Sequence, residues 1–157
     1  PATLADVSLI LSLIRELADY ERMSDEVMVT ETDLQRSLFS ATPFAEAVIA
    51  RLDGTPVGFA LFFHSFSTFV GRRGLYLEDL FVRPAYRGRG IGRRLLAHLA
   101  KLAVDRGCGR FEWAVLDWNE LAIETYRKAG AVPMDAWTTY RLTGDSLQAL
   151  AAETTNR

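Results

Sequence analysis

Two adjacent carboxylates, Glu78 and Asp79, lie inside Tyr76-Leu77-Glu78-Asp79-Leu80-Phe81-Val82, whose apolar and aromatic residues read as a buried strand. Desolvation and a like charge next door both favour the neutral carboxyl. They move its pKa toward the pH at which a general base works. Strict alternation puts neighbours on opposite faces of a sheet, so the two carboxylates have different tasks unless a bulge intervenes. The simpler use of either is as an ion-pair partner for an arginine.

Pro84 stops the strand, since it brings no N–H to a ladder. Arg87-x-x-Gly90-x-Gly92 follows, and Ile91, Leu95, Leu96, Leu99, Leu102 and Ala103 then repeat at helical spacing. Gly88, Gly90 and Gly92 have no Cβ, so the backbone there can turn tightly and approach a ligand. The first amides of a helix lack internal partners, and the dipole adds positive character at that end. A phosphate is stabilised in such a place, with Arg87, Arg89, Arg93 and Arg94 adding full charges. Taken alone, the same residues also describe a glycine-rich loop with solvated arginines. The spacing is neither a Walker A loop, which ends in Gly-Lys-Ser/Thr, nor a Rossmann G-x-G-x-x-G fingerprint.

The elements that must carry these residues follow from the pattern. Thr3-x-x-Asp6 is a capping box for an amphipathic helix through Val7, Ile10, Leu11, Ile14, Leu17 and Ala18, ending near Tyr20-Glu21. Thr30-x-x-Asp33 opens a second, shorter helix. Ala45–Leu52 and Pro56–Phe63 are strands joined by an Asp53-Gly54-Thr55 hairpin turn, and 66–74 is a turn region before the carboxylate strand. Arg106-Gly107-Cys108-Gly109 ends the long helix. A strand is expected at Phe111–Leu116 and a helix from the N-cap Asn119 to Gly130. Two last strands are expected at Ala131–Met134 and Trp137–Leu142, then a short helix at Asp145–Ala152 and a frayed end from Thr154 to Arg157. The order is (β)ααβββαβαββ(α), a mixed α/β sheet with helices on both faces.

Composition narrows the function classes. With 157 residues, 49% of them hydrophobic, the chain can bury the core of one domain. Eighteen basic and twenty acidic residues leave a net charge of −2, which gives bulk nucleic-acid binding no electrostatic support. The basic residues concentrate between Arg72 and Arg110, as a local anion site requires. One cysteine and two distant histidines argue against a disulfide or a zinc centre. No apolar stretch has membrane-helix length and no signal peptide is visible, so a cytoplasmic protein is expected, without a membrane or nucleic-acid partner.

Arg87-x-x-Gly90-x-Gly92 between a strand and a long helix resembles the acetyl-CoA pyrophosphate loop of the GCN5-related N-acetyltransferases (GNAT). With Tyr76-Leu-Glu-Asp-Leu80 before it and Ala114-Val-Leu-Asp-Trp-Asn119 after it, the chain is similar to the diamine acetyltransferase branch, from Pro1 to about Leu150. That branch holds the spermidine/spermine and thialysine N-acetyltransferases. The resemblance implies the GNAT fold: an α/β, mostly antiparallel mixed sheet with splayed central strands, in a single domain over residues 1–157. It also implies a short strand before the first helix, most of which would precede Pro1. The implied reaction moves an acetyl group from acetyl-CoA directly to a primary amine of a small cationic acceptor, a polyamine or a lysine analogue. No metal takes part, and a homodimer is implied, joined through C-terminal strands and helix.

By the same resemblance, the backbone of Leu80, Phe81 and Val82 pairs with the pantetheine arm as an added strand would. Arg87, Gly88, Arg89, Gly90, Ile91, Gly92 and Arg93 take the pyrophosphate, while Asn119, Glu120, Leu121 and Ala122 meet the arm from its other side. Glu78 is the base, directly or through water. Tyr126, seven residues after Asn119, donates a proton to the departing thiolate; the alternative is a core tyrosine at helical spacing. Tyr20, Glu21, Glu78, Asp79, Glu112, Trp113 and Asp135 match acceptor-contacting positions, and the acids among them suit a cation. The segment from Ala131 to Trp137 is shorter than in the animal enzymes, and Ala114 to Asn119 agrees better with the thialysine type. The competing functions are transfer to another amine (an amino acid, an aminoglycoside-like drug or a protein N-terminus) and a non-catalytic acyl-CoA-binding regulatory domain. Intact Glu78 and Tyr126 speak against the last.

Overall fold

A computed structural model describes residues Pro1–Thr155; Asn156 and Arg157, part of the expected frayed end, lie outside the described residues. The chain divides into two compact units, Pro1–Asp117 and the residues from Trp118 onward. The first holds α1 (Val7–Tyr20), α2 (Glu31–Phe39), β1 (Glu46–Leu52), β2 (Thr55–Ser67), β3 (Arg72–Val82), α3 (Ile91–Asp105) and β4 (Phe111–Trp113). Its sheet runs β1-β2-β3-β4, antiparallel up to β3 and parallel between β3 and β4. A parallel neighbour needs a crossover, which α3 supplies.

Local chemistry explains the boundaries. Thr30 Oγ1 accepts the Asp33 N–H at 3.2 Å, and Asp33 Oδ2 accepts the Thr30 N–H at 2.9 Å, closing the expected capping box. Asp53 and Gly54 both take positive φ, 49° and 81°, as a two-residue hairpin turn with Asp-Gly demands. Ala2 donates its N–H to Ala47 O at 2.8 Å, so the residues ahead of α1 touch the outer edge of β1.

The two sheet faces have separate cores. Ala47, Phe59 and Phe81 pack with Val7, Ile10, Leu13 and Leu17 of α1 and with Leu34 and Leu38 of α2. Each buried Val, Leu, Ile or Phe side chain among them contributes about 1.5–3 kcal/mol over the exposed one. The alternate strand residues face α3, whose Leu95, Leu96, Leu99 and Ala103 are buried. On that face Phe62 and His64 meet Arg106 at the α3 C-cap, and Arg106 grips Glu46 through both carboxylate oxygens. Arg83 ties α1 to the end of β3, donating from Nε and Nη2 to Glu16 at 2.9 and 2.7 Å.

Three expectations change. The β2 and β3 arms run farther than alternation suggested, to Ser67 and from Arg72, so the turn shrinks to residues 68–71. β4 stops at Trp113 instead of Leu116, because pairing with β3 ends there. The second unit contains α4 (Glu120–Lys128) and α5 (Gly144–Ala152), but among the described residues the strands expected at Ala131–Met134 and Trp137–Leu142 do not form. Pro133 withholds an N–H from any ladder, and Trp137 spends its own on Met134 O at 3.1 Å in a tight turn. Among the described residues no helix is long and apolar enough to cross a membrane.

Candidate active site

The register between β2 and β3 breaks at the carboxylates. Leu61 pairs with Asp79 and Phe62 with Leu77, which leaves Glu78 as the extra residue of a β-bulge. Residues directly opposite in a ladder share a face, so Asp79 follows Leu61, and Tyr76 follows Phe63, onto the α1 side. Alternation from Tyr76 then carries Glu78 to that same side. The bulge therefore places both carboxylates on one face, where regular pairing would have separated them. Glu21, the C-cap of α1, completes a three-carboxylate group.

Burial divides these acids unequally. Asp79 is pushed up to about 6, first by desolvation and then by the like charges of Glu78 and Glu21. Glu21 is also raised, by burial. Glu78 is exposed; the desolvation expected for it falls on Asp79, because the bulge turns Glu78 outward and leaves its neighbour against the α1 end. Glu112 of β4 pairs with Tyr76 and lies on the same face. The Tyr76 phenol is raised by burial and then by Glu78 and Glu112.

The parallel pairing of β3 with β4 covers only Leu75–Leu77 opposite Phe111–Trp113. Beyond the bulge β3 continues to Val82 paired with β2 alone, so its β4-side edge is open. The Arg83 N–H donates to Val57 O at 2.9 Å, which fixes the alternation. Phe81 turns its N–H and C=O to β2, while Leu80 turns both of its groups and Val82 its N–H to the open edge, the Val82 C=O being taken by Arg87 Nε. This corrects the expectation for Phe81, whose ring is also buried in the core.

Past the strand, Arg87 donates its N–H to Pro84 O, and the next amide to find a backbone carbonyl is that of Arg94, on Gly90 O at 3.0 Å. The N–H groups from Gly88 to Arg93 lie between them, turned by positive φ at Gly88 (76°) and Gly90 (75°). A Cβ on either glycine would meet no atom within 4 Å. Free amides, a positive helix end and open room beside glycine fit a pyrophosphate, and the unpaired β3 edge fits the amides of a pantetheine arm.

The Arg87 side chain does not join this cradle. Its Nε donates to Val82 O at 2.8 Å, and its guanidinium lies 4.2 Å from the Tyr20 ring centroid and 5.5 Å from that of Phe81. It braces the end of β3 against α1, since cation–π contact and a carbonyl hold it more firmly than solvent would. Tyr20 thereby stands beside the acids, at the last position of α1. Trp113 does not: its partner Leu77 faces α3, so its ring lies on the opposite face, 4.8 Å from Phe111.

In the second unit Asn119 caps α4, its Oδ1 accepting the Ala122 N–H at 3.3 Å. Tyr126 follows seven residues later, close to two full turns, so both side chains share one helix face. That face is half-buried at Asn119, Ala122, Ile123 and Tyr126, while Glu120, Leu121 and Asp135 are exposed.

Comparison with known proteins agrees with this arrangement. Residues 12–131 match the family model "Acetyltransferase (GNAT) family". The chain is 39% identical over 159 residues to a thialysine N-epsilon-acetyltransferase of Bos taurus, covering 94% of this chain and 93% of that one. It is 33% identical to an L-ornithine N5-acetyltransferase of Arabidopsis thaliana, covering 95% and 85%. An integron cassette protein from the mobile metagenome of V. cholerae superposes with a TM-score of 0.74 at 30% identity, covering 94% and 90%. The chain belongs to the GNAT family of acetyltransferases, whose members use acetyl-CoA as co-substrate.

Proposed function

We propose that this enzyme acetylates a primary amine of a small cationic acceptor, with Glu78 and Asp79 together receiving the ammonium proton. The carrying observation is the bulge at Glu78, which sets Glu78, Asp79 and Glu21 on one face where the β3 edge opens. Three carboxylates that form no ion pair among the described residues attract an ammonium group and then accept its proton. The relatives named for thialysine and L-ornithine, each with a side-chain amine, support the reading. Acetyl-CoA supplies the acetyl group. Leu80 holds its pantetheine arm through its open N–H and C=O and Val82 through its N–H, and the amides of Gly88 to Arg93 hold its pyrophosphate. Tyr126 returns a proton to the thiolate. A panel of amines assayed for CoA release tests the function: release with a diamine or a dibasic amino acid is expected, and release with none of them overturns it.

Gly90→Val is expected to weaken CoA binding at least tenfold, because the side chain enters the open room beside the cradle and a β-branched residue is strained at φ 75°. Calorimetric titration of the folded variant checks this; unchanged affinity removes the cradle. A homodimer belongs to the same reading. Trp137, Tyr140, Leu142, Leu147 and Leu150 are exposed apolar residues of the second unit that a second copy would cover. Light scattering at micromolar concentration should give twice the chain mass, and a monomer mass would remove the dimer.

A further inference from the structure

The face that carries the carboxylates has a far end that the transfer itself does not use. Gly74 of β3 lies two residues before Tyr76 on that face, with Ser65 of β2 opposite it. Arg110 flanks it on the other side, its carbonyl accepting the Leu75 N–H at 3.0 Å. A Cβ on Gly74 would stand 2.5 Å from Ser65 Oγ and 3.5 Å from Arg110 Cγ. Glycine is therefore what lets the hydroxyl and the arginine stem close over the strand. Ser65 Oγ is buried and has no hydrogen-bond partner, the one such side-chain atom among the described residues.

Arg110 Nε lies 2.7 Å from Glu112 Oε1, with the two side chains 45% and 36% exposed, so solvent and ligand can reach the pair. A guanidinium carries five donors in a fixed fork and a carboxylate two acceptor oxygens, so a pair reached by solvent can also take a second carboxylate on the arginine and an ammonium on the glutamate. Phe63 and Tyr76, with ring centroids 5.1 Å apart, form an apolar floor between this pair and Asp79. From Asp79 to Tyr76, which stands beside Glu112, is three residues of strand, roughly 10 Å. A lysine-like side chain with a hydrogen bond at each end spans that distance.

We propose that the Arg110–Glu112 pair selects the far end of the acceptor, binding the α-carboxylate and α-ammonium of an amino acid whose side-chain amine is acetylated. A polyamine carries a cation where the amino acid carries its carboxylate, and that cation meets the Arg110 guanidinium, so the pair also repels the wrong class. The proposal rests on the amine-acetylating function above and names its substrate class.

The test compares kcat/KM for L-ornithine and L-lysine with that for putrescine and cadaverine, which lack the α-carboxylate. The parent is expected to prefer the amino acids. In Arg110→Met, which keeps the stem over Gly74, the preference should fall by about 10- to 100-fold, as for a lost charged hydrogen bond, with the loss in KM more than in kcat. Arg110→Lys should restore part of it and serves as the readout if the methionine variant does not fold. The methyl ester of L-lysine, which loses the carboxylate charge, should lose rate with the parent and little with Arg110→Met. A ratio that ignores Arg110 overturns this proposal and leaves amine acetylation standing. Acetylation of none of the four amines overturns both.

Discussion

Tyr126→Phe is expected to lower turnover by about 10²–10⁴, the range for removing one general acid, while acetyl-CoA affinity and stability stay near those of the parent. The ring, and with it the packing on the half-buried face of α4, is retained. The helix itself depends on other groups. Asn119 caps its start, and the Tyr126 carbonyl, which the substitution keeps, accepts the N–H groups of Ala129 and Ala131 at its end. Only the phenolic hydroxyl is removed, so the loss falls on the transition state in which a thiolate departs, and kcat drops with kcat/KM. Steady-state rates from pH 6 to 9, with CoA binding by calorimetry, check this. Equal activity across that range would falsify the acid role and leave water as the donor.

Asp79→Asn should move stability and activity in opposite directions. The carboxyl titrates at about 6 in the folded protein against 3.8 as a model acid, so the native state binds the proton more tightly than the unfolded chain. The resulting stabilisation is full below pH 3.8 and is lost as pH rises through about 6; above that, the fold carries a desolvated charge between Glu78 and Glu21. Removing the charge at constant shape should therefore stabilise the protein at pH 8 by about 1–3 kcal/mol, and by little near pH 4. Turnover should fall about 10²–10⁴ over the same interval, and the rise of the parent's kcat/KM through pH 6 should vanish. Glu78→Gln should instead slow the reaction most below the acceptor amine's own pKa and recover in part at high pH, where free amine needs no base. Thermal melts at pH 4 and pH 8 and a pH–rate profile decide the matter: an Asn variant less stable than the parent at pH 8 contradicts the buried-charge account.

The helices, the hairpin and the glycine cradle were legible because local rules determine them. Capping boxes at Thr3 and Thr30, the Asp53-Gly54 turn and the Gly88-x-Gly90 spacing each act within a few residues, where chemistry and chain direction suffice. Other features were not resolved. Two carboxylates in succession inside an apolar strand mark a break in alternation, yet sequence does not say which of them is buried. Gly74 read as the end of a turn, so neither its place in β3 nor its close approach to Ser65 and Arg110 was legible. Trp113 matched an acceptor position by resemblance, and register alone sent it to the other face.

By itself, then, the sequence determined the α/β class, the phosphate-type cradle at the start of α3, the tyrosine two turns after a helix cap and the presence of acids suited to a cation. Tertiary structure decided how those acids are shared out. The bulge opposite Leu61 and Phe62, the early end of the β3–β4 ladder and the closeness of the α1 C-terminus together desolvate Asp79, expose Glu78 and turn Arg87 away from the loop. These outcomes depend on which residues of distant strands lie opposite one another. Periodicity fixes the alternation of a strand but not its register against a neighbour, and a single inserted residue reverses the face of everything beyond it.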